Sequence, residues 1–334
     1  MKTWSQHELA DQLSALNLKG QIAGIHAKLS AVGDIAPSPI TPDEEKKGLR
    51  PFAKTLINAF LEALGPKGTL FVPAHSLNTI SSFNAAKAKA EDGKILDDGY
   101  YNPETSPSTV GSFSQSVVAD KRSVRSLHPT HSTAAIGPEA EYLARGHTPR
   151  AQPVGIYSAF SKSVGLDGII LFVGDVLNTN TMFHAYETLL LPKLAPYFPG
   201  AAAANYRGFK RFFMQEWVPH LHRDFYAQQK RETRAFARMR EAGLLHQAKL
   251  GDGPIHYYHA KEAARFFAQE VFPVEPDILF CKDSPTCTLL QDCMQVERIM
   301  KYLYGKNGQW DSAKIKSNMS REFLNLIKPG VRRL

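Results

Sequence analysis

A three-layer α/β/α fold on a central mixed, partly parallel sheet, with helical elaborations, is the architecture this sequence predicts. Three observations predict it. Strand-like runs alternate with helical runs along most of the chain, the order that produces layered α/β domains. One run, GIILFVGD (168–175), is apolar throughout, as a central strand covered on both faces must be. A chain of 334 residues with 43% hydrophobic composition can bury the core such a sheet needs.

The elements follow in order. MKTWSQHELADQLSALNL carries polar residues every few positions, with Trp4, Leu9, Leu13 and Leu16 on one side, so it reads as an amphipathic helix rather than a secretion signal. QIAGIHAKL (21–29) is strand-like, and PFAKTLINAFLEALG (51–65) is a helix closed by Gly65-Pro66. GTLFVPAHS (68–76) is the next strand, and STVGSFSQSVVAD (108–120) a helix with Ser108 as its expected N-cap. STAAIGP (132–138) reads as a strand, PEAEYLARG (138–146) as a short helix, and TMFHAYETLLLPKL (181–194) as the helix after the central strand. Farther on, YRGFKRFFMQEWV (206–218) reads as strands with a turn and DFYAQQKRETRAFARMREAGLL (224–245) as a long helix. GPIHYYH (253–259) is a strand, AKEAARFFAQEVF (260–272) a helix, PDILF (276–280) a last buried strand and QVERIMKYLYGK (295–306) a last helix. No composition shift marks a boundary. A single domain over 1–334 is expected, with a long polar loop over 76–107 and an elaborated region at about 190–250.

Composition excludes several classes. No apolar run reaches the roughly 18 residues of a membrane span. Cys281, Cys287 and Cys293 lack the Cys-x2-4-Cys pair from which zinc sites are built, and three thiols without an export signal indicate a reducing cytoplasm. The net charge of +8 gathers in KRETRAFARMR (230–240) and the C-terminal VRRL, with no nucleic-acid-binding motif beside it. A basic balance can mean nucleic acid, an acidic membrane surface or an anionic small molecule, but the Lys/Arg spacing on an apparent helix fits a solvated face, and neither nucleic acid nor membrane is the expected partner. Homo-oligomerisation is left open.

Two stretches carry chemistry. RSLHPTHS (125–132) packs two histidines, a proline and three hydroxyls into eight residues. TNTMFHAYE (179–187) follows the central strand, where ligands of open α/β sheets bind, and puts His184 and Glu187 at i and i+3 on one helical face. A carboxylate that near can orient an imidazole as a base poised near neutral pH. On spacing alone, a helix that merely carries a half-buried histidine and an exposed glutamate is the better explanation. His128 precedes Pro129, so its backbone is held extended and a structural position suits it. A metal-dependent hydrolase built on His128, His131, His184 and Glu187 would need a His-x3-His pair with a matching carboxylate, which the sequence lacks.

Five segments, in order, resemble the aminoglycoside 3-N-acetyltransferase family. HAKLSAVG (26–33) is similar to its His-Ser-Ser-Leu-x-x-x-Gly, and ALGPKGTLFVPAHS (63–76) to its Leu-Gly-x-x-Gly-Thr-Leu-x-x-Pro strand. NPETSPSTVGSFSQ (102–115) resembles the Ser-Pro-x-x-x-Gly segment, VRSLHPTHSTAAIGPEA (124–140) the Arg-Ser-x-His-Pro-x-x-Ser signature, and GIILFVGDVLNTNTMFHAYE (168–187) the strand, loop and His-x-x-Glu. Beyond residue 190 the likeness thins. QEWVPHLHRDFY (215–226) is matched to a Trp-containing strand and LGDGPIHYYHAKEAARFF (250–267) to a late strand and helix.

The resemblance implies metal-free acyl transfer from acetyl-CoA, or another acyl-CoA, to the amine of a small-molecule acceptor. His184 is then the general base, with Glu187 and Asp224 orienting it. Lys28, Ser30, Ser106, Ser108, Arg125, His131 and Ser132 fall in the coenzyme-binding segments; for Arg125 a structural ion pair stays open as well. The chain departs from the family at Ala27-Lys28, where two serines are usual. Two hydroxyls are lost and a cation is gained, so either Lys28 reaches a phosphate or the chain is a silent ligand- or partner-binding member. A net-basic chain also suits a polycationic aminoglycoside poorly. An amino sugar in a glycan or nucleotide sugar, or an amine of a secondary metabolite, is the expected acceptor.

Overall fold

The computed structural model describes residues 2–76, 101–149, 151, 153–190, 234–279 and 301–333. Seven strands make the central sheet: β1 Ile22–Ala27, β2 Thr69–Pro73, β3 Val124–Arg125, β4 Thr133–Ile136, β5 Ile169–Val173, β6 His246–Leu250 and β7 Gly253–His259. Their order is β3-β4-β2-β1-β5-β7-β6. The middle three, β2, β1 and β5, run parallel. The flanking strands add antiparallel on both sides. The sheet is therefore mixed and partly parallel, as the sequence predicts.

Alternation along each strand sends neighbouring residues to opposite faces, and helices cover both. Ala23, Ile25, Leu70, Val72, Ile169 and Leu171 pack under α1 (Gln6–Ser14), α2 (Pro51–Leu64) and α3 (Ser112–Ala119). Ile22, Phe71, Ile170, Phe172 and Tyr258 face the other layer: α4 (Ala140–Ala144), α5 (Ala159–Gly165), α6 (Met182–Leu190), α7 (Arg234–Glu241) and α8 (Ala260–Phe266). Local chemistry sets the helix starts. Ser5 and Glu8 close a reciprocal capping box on α1, and α2 opens with Pro51 and ends at Gly65.

Several expectations are corrected. The 108–120 helix begins at Ser112 behind Gly111, not at Ser108, because the Ser108 N–H donates to the Gln115 side chain at 2.6 Å and the chain stays extended to Gly111. PDILF turns as a 3-10 helix over Pro276–Leu279 rather than a strand: the sheet edge beyond β7 is already taken by β6. A short apolar run does not distinguish those outcomes. Strands β3 and β6, helix α5, and the parallel pairing of Thr3–Trp4 with Asp34–Ile35 carried no signal that the sequence reading caught. The expected strands of 206–218 and the three cysteines lie outside the described residues. Among the described residues no helix is long and apolar enough to cross a membrane.

Candidate active site

The parallel strands end together, and their carboxyl ends are crowded with imidazole. His26 lies near the end of β1, His75 just past β2, His128 and His131 before β4, His147 after α4, and His184 on α6 after β5; all six are buried. The rings of His75 and His131 lie 4.7 Å apart, those of His128 and His147 4.7 Å, and those of His128 and His131 6.0 Å. His184 faces His75 and His131 closely enough that its charge helps to push both imidazoles down, after burial itself, which is the main cause. Burial and these neighbours hold His75 at about 3, and burial alone holds His26 at about 3.

Most of these rings have assigned tasks. His128, wholly buried, accepts at Nδ1 from the backbone N–H of His131 at 3.0 Å, so it folds the turn after Pro129. His147 accepts at Nδ1 from Ser126 Oγ (2.9 Å) and donates from Nε2 to the Pro153 carbonyl (3.0 Å). His131 pairs with Thr130 Oγ1 at 2.9 Å. His26 stacks on Phe172 at 5.1 Å with 12° between planes, and its Nε2 is buried without a hydrogen-bond partner. Among the described residues no three His, Cys, Asp or Glu side chains converge as metal ligands.

Helix α6 is anchored at its start. Asn180 Oδ1 accepts from the Met182 N–H (3.1 Å) and from the hydroxyl of Tyr258 on β7 (3.0 Å). Tyr186 donates to the Ala260 carbonyl at 2.9 Å. Two buried tyrosine contacts thus tie the helix bearing His184 to the next strand and helix. Glu187 follows three residues later on α6, one helical turn along; its side chain and the whole of Asp224 fall outside the described residues.

The expected coenzyme residues separate into two groups. Arg125 spends its guanidinium on the protein: Nε donates to Ser132 Oγ (3.0 Å), Nη2 to Ala74 O (2.6 Å) and Ser76 Oγ (2.8 Å), and Nη1 to the carbonyls of Ser106 and Pro103. Ser132 Oγ itself donates to Ala74 O at 2.7 Å, and Ser106 Oγ accepts from the Asn102 N–H at 2.9 Å. These three clamp the 101–107 segment to the end of β2. Ser108 Oγ is buried near them, with no hydrogen-bond partner among the described residues. Lys28 and Ser30 are different: both are exposed and line a cavity of about 770 Å³ with Gly111 and Ser112. Gly174 makes room beside it. Its φ is +83°, and a Cβ there would lie 2.6 Å from Ala31 Cβ.

His75, His147, Asn180 and Tyr258 were missed as site residues. Their separation in sequence hides them, and only Asn180, just before an apolar helix, carried a usable signal as an N-terminal cap.

Aminoglycoside N(3)-acetyltransferase VII of Streptomyces paromomycinus is 26% identical over 275 residues, covering 77% of this chain and 88% of its own. Aminoglycoside N(3)-acetyltransferase IX of Micromonospora chalcea is 29% identical over 188 residues, 55% of this chain but only 60% of that protein's length. The crystal structure of aminoglycoside acetyltransferase AAC(3)-IVa, an apoenzyme, superposes with a TM-score of 0.62 at 22% identity, covering 89% of this chain and 99% of that one. AAC-IIIb in binary complex with CoASH gives 0.54 at 19% identity, with 79% and 95% covered. At such identities the structural likeness establishes the fold alone. The sequence profile of the family described as aminoglycoside 3-N-acetyltransferase matches residues 25–272, most of the chain, and the protein belongs to that family.

Proposed function

We propose that this protein transfers an acetyl or related acyl group from a coenzyme A thioester to an amine of a small-molecule acceptor, with His184 as general base. One observation carries the reading: a buried imidazole on an anchored helix stands at the carboxyl ends of the parallel strands, and the Lys28–Ser30 cavity opens just past the end of β1. The cavity suits a phosphorylated donor. Lys28 supplies a cation, Ser30 and Ser112 supply hydroxyls, and α3 starts at Gly111 with no side chain capping its first N–H groups.

The chemistry is nucleophilic substitution at the thioester carbonyl. The acceptor nitrogen attacks the carbonyl carbon, His184 takes a proton from that nitrogen, the C–S bond breaks, and the thiolate receives the proton. An ammonium has no lone pair, so the base decides the rate near neutral pH. Glu187 and Asp224 are proposed to hold the imidazole ring and stabilise its charged form. The acceptor is proposed to be an amino-sugar or secondary-metabolite amine carrying fewer positive charges than a typical aminoglycoside, on the strength of the net charge of +8. Part of the basic 230–240 stretch is held in ion pairs, Arg238 donating to Glu275 at 2.8 Å, so charge argues less strongly here than in the sequence.

The test is acetyl-CoA-dependent thiol release across a panel of amines, with His184→Ala beside the parent. The variant is expected to lose about 10²- to 10⁴-fold in kcat while binding CoA as before. Full turnover in the variant removes the proposed base. Kanamycin-class turnover at ordinary enzymatic efficiency removes the acceptor proposal.

A further inference from the structure

The donor cavity carries one feature that phosphate binding does not explain. Phe52, second residue of α2, is 40% exposed and lines the same cavity as Lys28, Ser30 and Ser112. Its helix buries Ala53, Leu56, Ile57 and Phe60 against the sheet, so Phe52 stands off the apolar stripe. Among the described residues no aromatic ring stacks on it. A single exposed phenylalanine needs no explanation by itself. Here, though, a bare aromatic face shares one cavity with a lysine and an uncapped helix N-terminus, and the cavity, at about 770 Å³, is of the size that holds a cofactor-sized ligand. The ligand class that presents a flat π-surface and several phosphate oxygens together is a purine nucleotide. Among the lining residues Asp34 is acidic, and it sits on the wall formed by the N-terminal strand pair, where its charge would disfavour a phosphate.

We infer that Phe52 is the stacking platform for the adenine of the acyl donor, and that with Lys28 it makes this protein select a nucleotide-bearing thioester over a bare pantetheine one. This rests on the donor-site reading above. It assigns to Phe52 a role as a specificity-determining residue that takes no part in bond making.

Isothermal titration of the intact protein with CoA and with 4′-phosphopantetheine, which lacks the 3′-phospho-AMP half of the coenzyme, tests it. Phe52→Ala should weaken CoA binding roughly tenfold or more, the loss that follows removal of one base–aromatic stack, and leave phosphopantetheine binding unchanged. Phe52→Trp should hold or tighten CoA binding. Equal CoA affinity in Phe52→Ala and parent, or the same loss for both ligands, overturns the platform. If the parent itself binds no CoA, the donor reading falls and the platform with it, and that result is read on the parent alone. Circular dichroism of the alanine variant guards against misfolding; since the ring is exposed, its melt should match the parent's.

Discussion

Acidification should destabilise this protein well before its carboxylates titrate. His26 and His75 are 4% and 8% exposed, and each imidazole is held at about 3 against an ordinary value of 6.5. The folded chain therefore binds fewer protons than the unfolded chain between those values, and stability rises with pH across the window. Read downward, stability is lost as pH falls from 6.5 toward 3 and is flat above about 7.5. At pH 5 an unfolded histidine is almost fully protonated and these two are not, which costs about 2 kcal/mol for each, or about 4 kcal/mol together. The figure is insensitive to the folded value, because any value below about 4 leaves the ring neutral at pH 5. His131 adds in the same direction. Against a total of roughly 5–15 kcal/mol, that is a large fraction. The assay is urea unfolding at pH 8, 7, 6 and 5, beside His26→Phe, whose ring can keep the stack on Phe172. The variant should lose about half of the pH dependence assigned to the pair. A midpoint that stays level from pH 7 to pH 5, or a variant that keeps the parent's full slope, refutes the reasoning.

Two more substitutions separate structural residues from ligand-binding ones. Arg125→Lys keeps the charge and loses the planar fork that reaches Ala74, Ser76, Ser106 and Ser132, so unfolding stability should fall by roughly 3 kcal/mol, the worth of one or two charge-assisted hydrogen bonds. A variant that unfolds like the parent and has lost CoA affinity would make Arg125 a phosphate ligand instead. Asn180→Leu leaves the Tyr258 hydroxyl and the Met182 N–H without their acceptor, at about 1–3 kcal/mol each, and should lower kcat by releasing the start of the His184 helix. Unchanged midpoint and unchanged kcat would show that α6 is positioned by something else.

What the sequence made legible is what acts locally. The central strand β5 is apolar at every position, the α2 stripe has the helical period, and Leu9 and Leu13 mark the buried side of α1; each is a pattern of near neighbours, and each stands in the structure. Strand β6 escaped because only one face of it is covered: His246, Gln247 and Lys249 keep polar side chains on a sheet edge, and that pattern also suits a loop. Arg125 shows the limit most clearly. An arginine three residues before a His-Pro turn has the composition of an anion site, and the sequence left phosphate and carboxylate open. Its actual acceptors are mostly main-chain carbonyls and hydroxyls on segments about 20 and 50 residues away. Every residue carries a carbonyl, so no sequence pattern marks the ones that matter.

The same argument explains the imidazole cluster. Histidines 26, 75, 128, 131, 147 and 184 are scattered over nearly half the chain, and parallel pairing of β2, β1 and β5 brings three of their segments to one edge. Once there, burial keeps His26, His75 and His131 neutral, as their depressed values show. Neutral rings can stack and exchange single hydrogen bonds where charged ones would repel. His75 and His131, the two rings that His184 faces, are both held in the neutral form, so they place no positive charge beside the proposed base. Six histidines at the carboxyl ends of the sheet therefore need not mean six catalytic residues. Those bound to backbone, His128 and His147 above all, build the wall, and the one on the anchored helix is the base proposed above.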